Sequence, residues 1–149
     1  MLENFPFKFE EFNISGNDIP AHVATRILIY HILPVIPVRE ELGIPMWPSL
    51  QSCWRPYKWE IKQGRPGTSE HCFGQLANGS FEMEHKGACD WTCKDFQSNK
   101  DKLLASLIKN TEYTRFAVYG TFIHSDYAKT KSGSREVYNE KWVSQYKIK

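Results

Sequence analysis

The chain has 149 residues, of which 41% are hydrophobic and 14% aromatic. This length and composition predict one globular domain, residues 1–149, with a real core, and they argue against intrinsic disorder. The 19 basic and 17 acidic residues give a net charge of only +2, and the basic residues form no arm or cluster along the sequence. A nucleic-acid-binding protein is therefore not expected.

Targeting signals and cysteine pairs are also not evident from the sequence. No run of 18 apolar residues occurs, so no membrane span is expected. The start of the chain is acidic and aromatic and lacks the features of a signal peptide, which predicts synthesis in a cytoplasm without export by that route. The four cysteines (Cys53, Cys72, Cys89 and Cys93) lack the spacing of zinc knuckles. Cys72, Cys89 and Cys93 are interpreted as packing thiols, with a disulfide such as Cys53–Cys93 as the alternative if the protein matures outside the cell.

The first predicted element is a helix that begins near Asn17 or Asp18, either of which can serve as its N-cap. Apolar residues then recur at steps of three and four positions: Val23, Ile27, Tyr30 and Leu33. This spacing is typical of an amphipathic helix. Pro34 and Pro37 are expected to kink or split the helix, and Gly43 is expected to end it.

The middle of the chain predicts two strands separated by a long loop. The first strand is predicted near residues 49–54, and the loop that follows has room for one short helical turn. The second strand is "GACDWTC", residues 87–93, whose small and aromatic residues are typical of a buried strand.

The second half of the chain predicts a helix and a hairpin. The segment "SNKDKLLASLIKN" predicts a helix with Ser98 as its N-cap and an apolar face of leucines and isoleucine. Residues 114–126 predict two strands joined by a tight turn at Gly120. Residues 135–149 are left without an assignment. Helices and strands that do not alternate regularly predict an α+β domain.

The polar residues of the last predicted strand lie two positions apart. On a strand, His124 and Asp126 would share one face, so the carboxylate could orient the imidazole. Together with His71 and Asp90, His124 makes a set of two imidazoles and one carboxylate. Zinc accepts such a set and keeps a fourth position open for water, as in catalytic zinc sites. The residue types alone do not show that the three side chains meet.

Four segments occur in an order that resembles a known family: "QSCWRP", "GTSEHCFG", "GACDWT" and "VYGTFIHSD". Their order and spacing are similar to those of the zinc D-alanyl-D-alanine carboxypeptidase and endolysin peptidase family, which shares its fold with the hedgehog signalling domain. The ending Tyr-x-x-Phe-x-His-x-Asp resembles one sub-branch. The resemblance covers most of residues 5–127 and implies a small antiparallel sheet that carries a zinc site and packs against two main helices.

The resemblance implies a role for six residues. The zinc ligands would be His71, Asp90 and His124. Arg55 would hold a substrate carboxylate or line the cleft, with a structural stack on Trp54 or Trp59 as the alternative, and Ser69 would contribute to substrate binding. Asp126 would support the last histidine. Arg55 and Asp126 are the residues assigned to catalysis besides the metal.

Two features depart from the family pattern. Asn78 stands where the family places its aspartate, seven residues after His71, so residues 74–87 are interpreted as an insertion. His85, inside this insertion, is the rival first ligand. The usual positions of the catalytic base hold Thr121 and Phe122. The base is therefore unassigned, and the candidates are Glu82, Glu84 and His85, all from the insertion.

The function that the resemblance implies is hydrolysis of a peptide bond in bacterial peptidoglycan. The bond is either D-Ala-D-Ala or L-Ala-D-Glu, and the partner is the peptidoglycan stem peptide. A phage origin is expected, with the enzyme in the host cytoplasm before its release to the cell wall, or in the virion with other virion proteins. One alternative is a catalytically silent virion structural or binding module. Another is a zinc-stabilised domain in which cysteine replaces one ligand.

Overall fold

The computed structural model describes residues 6–16 and 18–149, and it confirms the α+β class. The first long helix, α1, spans Ala21–Leu42. Its N-cap position is occupied by Pro20, and Asn17 lies outside the described residues. Gly43 ends α1 as predicted, in the left-handed conformation with φ of 67°. The predicted split at the prolines is wrong, because the helix runs on to Leu42 through a π-helical section at Ile27–Ile32.

Two more helices follow. The short helix α2, Tyr57–Lys62, is the helical turn predicted within the loop. The helix α3, Phe96–Asn110, is the second long helix, but its N-cap is Asp95 and not Ser98. Asp95 adopts a left-handed conformation with φ of 52°, so the chain turns into the helix three residues earlier than predicted.

Six strands form one mixed sheet. They are β1 (Met46–Pro48), β2 (Ala88–Cys93), β3 (Arg115–Val118), β4 (Ile123–Asp126), β5 (Glu136–Asn139) and β6 (Ser144–Lys147). Their order across the sheet is β1-β2-β4-β3-β5-β6. Neighbouring strands are antiparallel except β3 and β5, which are parallel. The sheet is thus larger than the antiparallel sheet that was expected, because the unassigned tail supplies β5 and β6.

The strand predicted at residues 49–54 is misplaced. The strand, β1, lies just before this segment, and Ser49–Gln51 form a turn of 3₁₀-helix instead. Leu50 and Gln51 have φ values of 50° and 57°, in the left-handed region that a strand cannot contain. The predicted strand at residues 87–93 and the hairpin around Gly120 are confirmed by β2, β3 and β4.

The two faces of the central strands have different environments. Cys89 and Trp91 of β2 and Ile123 of β4 point into the apolar core, where α3 packs along the second half of α1 and on β2. Asp90 of β2 and His124 of β4 point to the opposite face. These two residues are direct partners in the antiparallel register of β2 and β4. The fold therefore places two of the proposed ligands side by side.

Among the described residues, α1 is the one helix long and apolar enough to cross a membrane, with a mean hydropathy of 1.4 over its most apolar window. The core helix of a soluble protein meets the same criteria. In this chain Val23, Ile27, Val35 and Val38 of α1 are fully buried in the core, while Ile29 and Leu33 are about half exposed. Length and hydropathy therefore do not by themselves make α1 a membrane span.

Candidate metal centre

His71 is held in one orientation by the backbone around it. It lies in a short 3₁₀-helix, Glu70–Cys72, whose N-cap Ser69 accepts a hydrogen bond from the His71 backbone N–H at 3.2 Å. The ring Nδ1 lies 3.0 Å from the Cys53 carbonyl oxygen. Because a carbonyl only accepts hydrogen bonds, Nδ1 carries the proton in this contact. In the neutral ring the lone pair is then on Nε2, which faces Asp90 and His124.

His124 is oriented by a carboxylate in the same way. Its Nε2 lies 2.7 Å from Asp126 Oδ2, so it donates its N–H to that carboxylate. Arg115 holds Asp126 through two parallel hydrogen bonds of 2.9 and 2.7 Å, and the Ala128 N–H adds a third at 3.0 Å. In the neutral ring, His124 therefore presents the lone pair of Nδ1 to the cluster. Asp126 supports the last histidine as the resemblance implied.

Asp90 completes the group through one oxygen. Its Oδ1 lies 3.1 Å from His71 Nε2 and 3.0 Å from His124 Nδ1, and these two nitrogens are 3.1 Å apart. The other oxygen, Oδ2, accepts hydrogen bonds from Ser52 Oγ at 2.7 Å and Arg55 Nη2 at 3.1 Å. Asp90 thus offers a single oxygen to the cluster while its second oxygen is held by the protein.

Three lone-pair atoms consequently converge in a buried place. His71, Asp90 and His124 are only 2%, 3% and 8% exposed. Three ligands of a tetrahedral zinc ion are separated by about 3.3 Å when each bond is about 2.0–2.1 Å long. The observed separations of 3.0–3.1 Å are close to this value. The buried His71–Asp90–His124 group could therefore bind a metal ion.

The pKa values describe the competition between a proton and a metal at this place. Burial lowers the pKa of His71. Burial also acts against the charged form of His124, but hydrogen bonds to Asp126 and Asp90 raise its pKa to about 9. For Asp90, burial opposes ionisation, yet the two histidines hold its pKa well below the ordinary range. With this pKa, His124 is protonated at neutral pH when no metal is bound, and its Nδ1–H points at Asp90 Oδ1 and His71 Nε2. A divalent ion bound by the three residues would displace this proton.

A cavity of about 380 Å³ opens next to the cluster and is lined by all three of its residues. One wall comes from α2 and the loop after it, with Glu60, Arg65 and Ser69. The opposite wall is aromatic. Its members are Tyr119 and Phe122, whose rings stack at 4.6 Å, and Trp142, whose ring centroid lies 5.3 Å from that of His124. A metal in the cluster would be accessible to a ligand in this cavity.

Arg55 lines the cavity, but its hydrogen bonds are made within the protein. It donates to Ser52 Oγ and to Asp90 Oδ2, and its Nη1 lies 3.7 Å from Glu60 Oε1. Its guanidinium also lies 5.7 Å from the Trp59 ring centroid, which matches one of the two stacks considered from the sequence. Among the cavity residues Arg65 is the more accessible cation, with 47% of its side chain exposed against 14% for Arg55. Arg55 is therefore placed to orient Asp90.

Sequence reasoning missed several residues of this cavity, among them Glu60 and Trp142. Glu60 is fully buried, and its Oε1 has no hydrogen-bond partner among the described residues. No spacing in the sequence distinguished it from the other charges of a segment interpreted as loop. Trp142 belongs to the turn between β5 and β6, in the tail that was left unassigned. Its φ of 60° is unusual for a bulky residue and could not be expected from the sequence.

The rival ligand and the candidate bases lie elsewhere. His85 Nε2 pairs with Glu70 Oε2 at 2.7 Å. Glu82, Glu84 and His85 line a separate surface pocket and do not line the cavity of the cluster. The geometry thus joins His71, and not His85, to Asp90 and His124.

The four cysteines are buried free thiols, and none belongs to the metal-ligand group found among the described residues. Desolvation raises the pKa of Cys72, Cys89 and Cys93, which keeps these three protonated at neutral pH. The interpretation of the cysteines as packing thiols agrees with this burial. The alternative in which a cysteine replaces one zinc ligand does not agree with it, because no cysteine belongs to the metal-ligand group of the described residues.

Comparisons of the chain with protein-family models, with curated proteins and with solved structures found no match. The peptidase family and the hedgehog-like fold therefore stay expectations drawn from the order of the motifs.

Proposed function

We propose that this protein is a zinc-dependent peptidase that hydrolyses a peptide bond of bacterial peptidoglycan. The observation that carries the proposal is the convergence of His71 Nε2, His124 Nδ1 and Asp90 Oδ1 beside an accessible cavity. Two histidines and one carboxylate form a set that catalytic zinc sites use, with a position left for water or substrate. The peptidoglycan substrate, and a D-Ala-D-Ala or L-Ala-D-Glu bond, come from the motif resemblance.

In the proposed reaction, the metal ligands, the residues that orient them and the aromatic wall of the cavity have separate roles. Zinc held by the cluster would supply Lewis acidity, which polarises a substrate carbonyl and lowers the pKa of a water molecule. Cys53 and Asp126 fix the histidine rings, while Ser52 and Arg55 fix Asp90. The stacked Tyr119 and Phe122 rings and the Trp142 indole offer an apolar wall that would exclude water from a bound peptide.

We assign Glu60 as the proton acceptor in this reaction. It is the carboxylate that lines the cavity besides Asp90, and Asp90 is committed to the cluster. Glu60 Oε2 lies 3.4 Å from Arg65 Nη1, and Oε1 lies 3.7 Å from Arg55 Nη1. Oε1 accepts no hydrogen bond from a described residue, so it has a lone pair left for the reaction. This position on α2 would supply the base that Thr121 and Phe122 cannot provide.

Zinc content and peptide release test the proposal together. The purified wild type should hold about one zinc per chain and release peptides from muropeptides, and His124→Ala should lose both, because a three-ligand catalytic site cannot spare one ligand. His85→Ala is the matched control and should keep both, since His85 pairs with Glu70 outside the cavity. Zinc without turnover in the wild type would support the silent module instead of the peptidase. The absence of zinc from the wild type would exclude both the zinc peptidase and the silent zinc-binding module.

Glu60→Gln separates a chemical role of this carboxylate from a positioning role. The amide keeps the shape and can still accept from Arg65, but it cannot take up a proton. We expect zinc content to be unchanged and kcat to fall roughly 10²- to 10⁴-fold at similar KM. A rise in KM with little change in kcat, or a loss of zinc, would show that Glu60 only positions Arg55 and Arg65.

A further inference from the structure

A second concave surface lies on the other side of the Trp142 indole. This pocket, of about 650 Å³, is formed by Arg115 of β3, the segment after β4 and the β5–β6 hairpin. Its charged members are Arg115, Lys129, Lys131, Lys147 and Glu136. We call it the cationic groove, since four of these five side chains are positively charged. No part of the proposed reaction uses it.

Most of the positive charge in the cationic groove is not neutralised within the protein. Arg115 is paired with Asp126. None of the three lysines forms an ion pair with a described residue. Glu136, the one carboxylate in the lining, accepts hydrogen bonds from the hydroxyls of Ser132 and Ser144. The groove is thus lined by three exposed lysines and one carboxylate, and its net positive charge attracts an anion.

The cationic groove and the cavity of the metal centre are neighbours that share one side chain. Trp142 lines both the groove and the cavity of the cluster. Its ring contacts His124 at 5.3 Å between centroids and lies 4.6 Å from the Arg115 guanidinium carbon. Its Nε1–H donates to Tyr119 Oη at 3.0 Å. The left-handed backbone at Trp142 is costly, and such conformations concentrate at functional sites.

We propose that the cationic groove binds acidic residues of an extended peptide whose cleaved bond lies at the metal centre. A peptide that leaves the cavity past Trp142 would bring its next residues over Lys129, Lys131 and Lys147. An indole gives an extended chain a flat apolar contact, and ammonium groups select carboxylates by charge. The inference rests on the proposed function for the peptide nature of the ligand. Charge-selective binding in the groove itself needs neither metal nor hydrolysis.

Binding to the metal-free full-length protein tests the groove separately from the peptidase. The protein is freed of metal by dialysis and used without chelator, because a chelator is itself a polyanion. Calorimetric titration at low salt compares the peptide Ala-Glu-Ala-Glu with its neutral counterpart Ala-Gln-Ala-Gln. The variant is Lys129→Gln with Lys131→Gln. The matched control, Lys94→Gln with Lys102→Gln, removes the same charge from two exposed lysines outside the groove.

We expect the acidic peptide to bind the wild type at least tenfold more tightly than the neutral one. The groove variant should weaken this binding about tenfold, and the control pair should change it less than twofold. Equal binding of the two peptides, an unchanged groove variant or an equal effect of the control pair would each overturn the proposal. Tighter binding of poly(glycerol phosphate) with the same dependence on Lys129 and Lys131 would replace the acidic peptide by a phosphate polymer. If the acidic peptide binds but the protein as purified contains no zinc, the groove proposal stands and the peptidase proposal fails.

Discussion

The two carboxylate oxygens of Asp90 have different partners. Oδ1 faces both histidines, and Oδ2 is held by Ser52 and Arg55. A carboxylate fixed in this way offers one oxygen in one direction, so little side-chain freedom remains to be lost when a metal binds. Ser52 and Arg55 would therefore support a metal bound at the cluster, although neither is one of its three candidate ligands.

Loss of the Ser52 hydroxyl should weaken metal binding while the fold stays intact. Ser52→Ala removes the 2.7 Å hydrogen bond to Asp90 Oδ2 and leaves Arg55 as the only side-chain donor to that oxygen. We expect the affinity for zinc to fall about 10- to 100-fold, as is usual when a group that orients a ligand is removed. Competition with a chromophoric chelator measures this affinity.

Ser98→Ala is the control for the same chemical change. Ser98 is exposed and lies in the first turn of α3, away from the cluster. The Ser98→Ala protein should therefore bind zinc as tightly as the wild type. If Ser52→Ala and Ser98→Ala bind zinc equally well, the orientation of Asp90 by Ser52 has no effect on the metal.

At this scale the sequence shows which residue types are available but not which atoms face each other. His71, Asp90, His124 and Asp126 could be selected because imidazoles and carboxylates in a motif order suggest a metal site. The assignment of Arg55 to a substrate carboxylate could not foresee that Asp90 accepts from the same guanidinium. Whether an arginine pairs with a carboxylate of the protein or with one of a substrate depends on side-chain geometry, which the spacing of residues along the sequence does not encode.

Among the elements, α1 is the one whose irregularity has a traceable cause. Pro34 has no N–H to donate to the carbonyl oxygen of Tyr30, four residues earlier. Tyr127 supplies the missing donor, since its hydroxyl lies 2.5 Å from that oxygen. The π-helical section ends at Ile32, two residues before Pro34. A tertiary contact and a local change of helix type thus let α1 pass a residue that was expected to break it.

The same section of α1 carries His31, which should make the protein less stable in acid. Its Nε2–H donates to the Lys86 carbonyl at 2.8 Å, and its Nδ1 accepts from Tyr113 Oη at 2.7 Å. Burial lowers the pKa of His31 to about 3. The unfolded chain takes up this proton near pH 6.5, whereas the folded chain takes it up near pH 3. The stabilisation is complete above pH 6.5 and is lost as the pH falls towards 3.

Urea unfolding of the metal-free protein between pH 7.5 and pH 4.5 measures this effect. His31 should lower the free energy of unfolding by about 1.4 kcal/mol for each pH unit below 6.5. His31→Gln can keep both hydrogen bonds but cannot titrate, so its stability should fall less steeply in acid. His85→Gln is the control, because pairing with Glu70 raises the pKa of His85 and gives it the opposite pH dependence. A slope that is the same in His31→Gln as in the wild type would contradict a neutral buried His31.

Elements with a strong local pattern were predictable, and those without one were not. The helix α3 has a full apolar face, and β2 to β4 have dense apolar residues and a glycine turn, so their existence followed from the sequence. The short strand β1 has three residues, and the exposed β6 carries no apolar alternation. β1 depends on pairing with the distant β2, and the β5–β6 hairpin depends on pairing of β5 with the distant β3, and a local pattern reports neither contact.

Across the whole molecule, the candidate metal ligands lie on central strands of the sheet, and the walls of the adjacent cavity come from its periphery. Asp90 and His124 lie on β2 and β4 in the interior of the sheet, and each strand has a partner on both sides. The cavity walls come from the loop around α2 and from the turn of the β5–β6 hairpin. The motif order predicted the centre of this arrangement. The hairpin, Trp142 and the cationic groove lie in the tail, where no motif pointed to them.

The register between β2 and β4 has a consequence for how the sheet assembles. A slip of β2 by one residue relative to β4 would turn Asp90 towards the core and bring Trp91 to the face that carries His124. Asp90 and His124 are 34 positions apart along the chain, so their alignment is not set by a tight turn. A metal ion bound by both side chains requires them on the same face, so it would stabilise the correct register over slipped pairings. Without the ion, only the apolar residues of the two strands would favour the correct alignment.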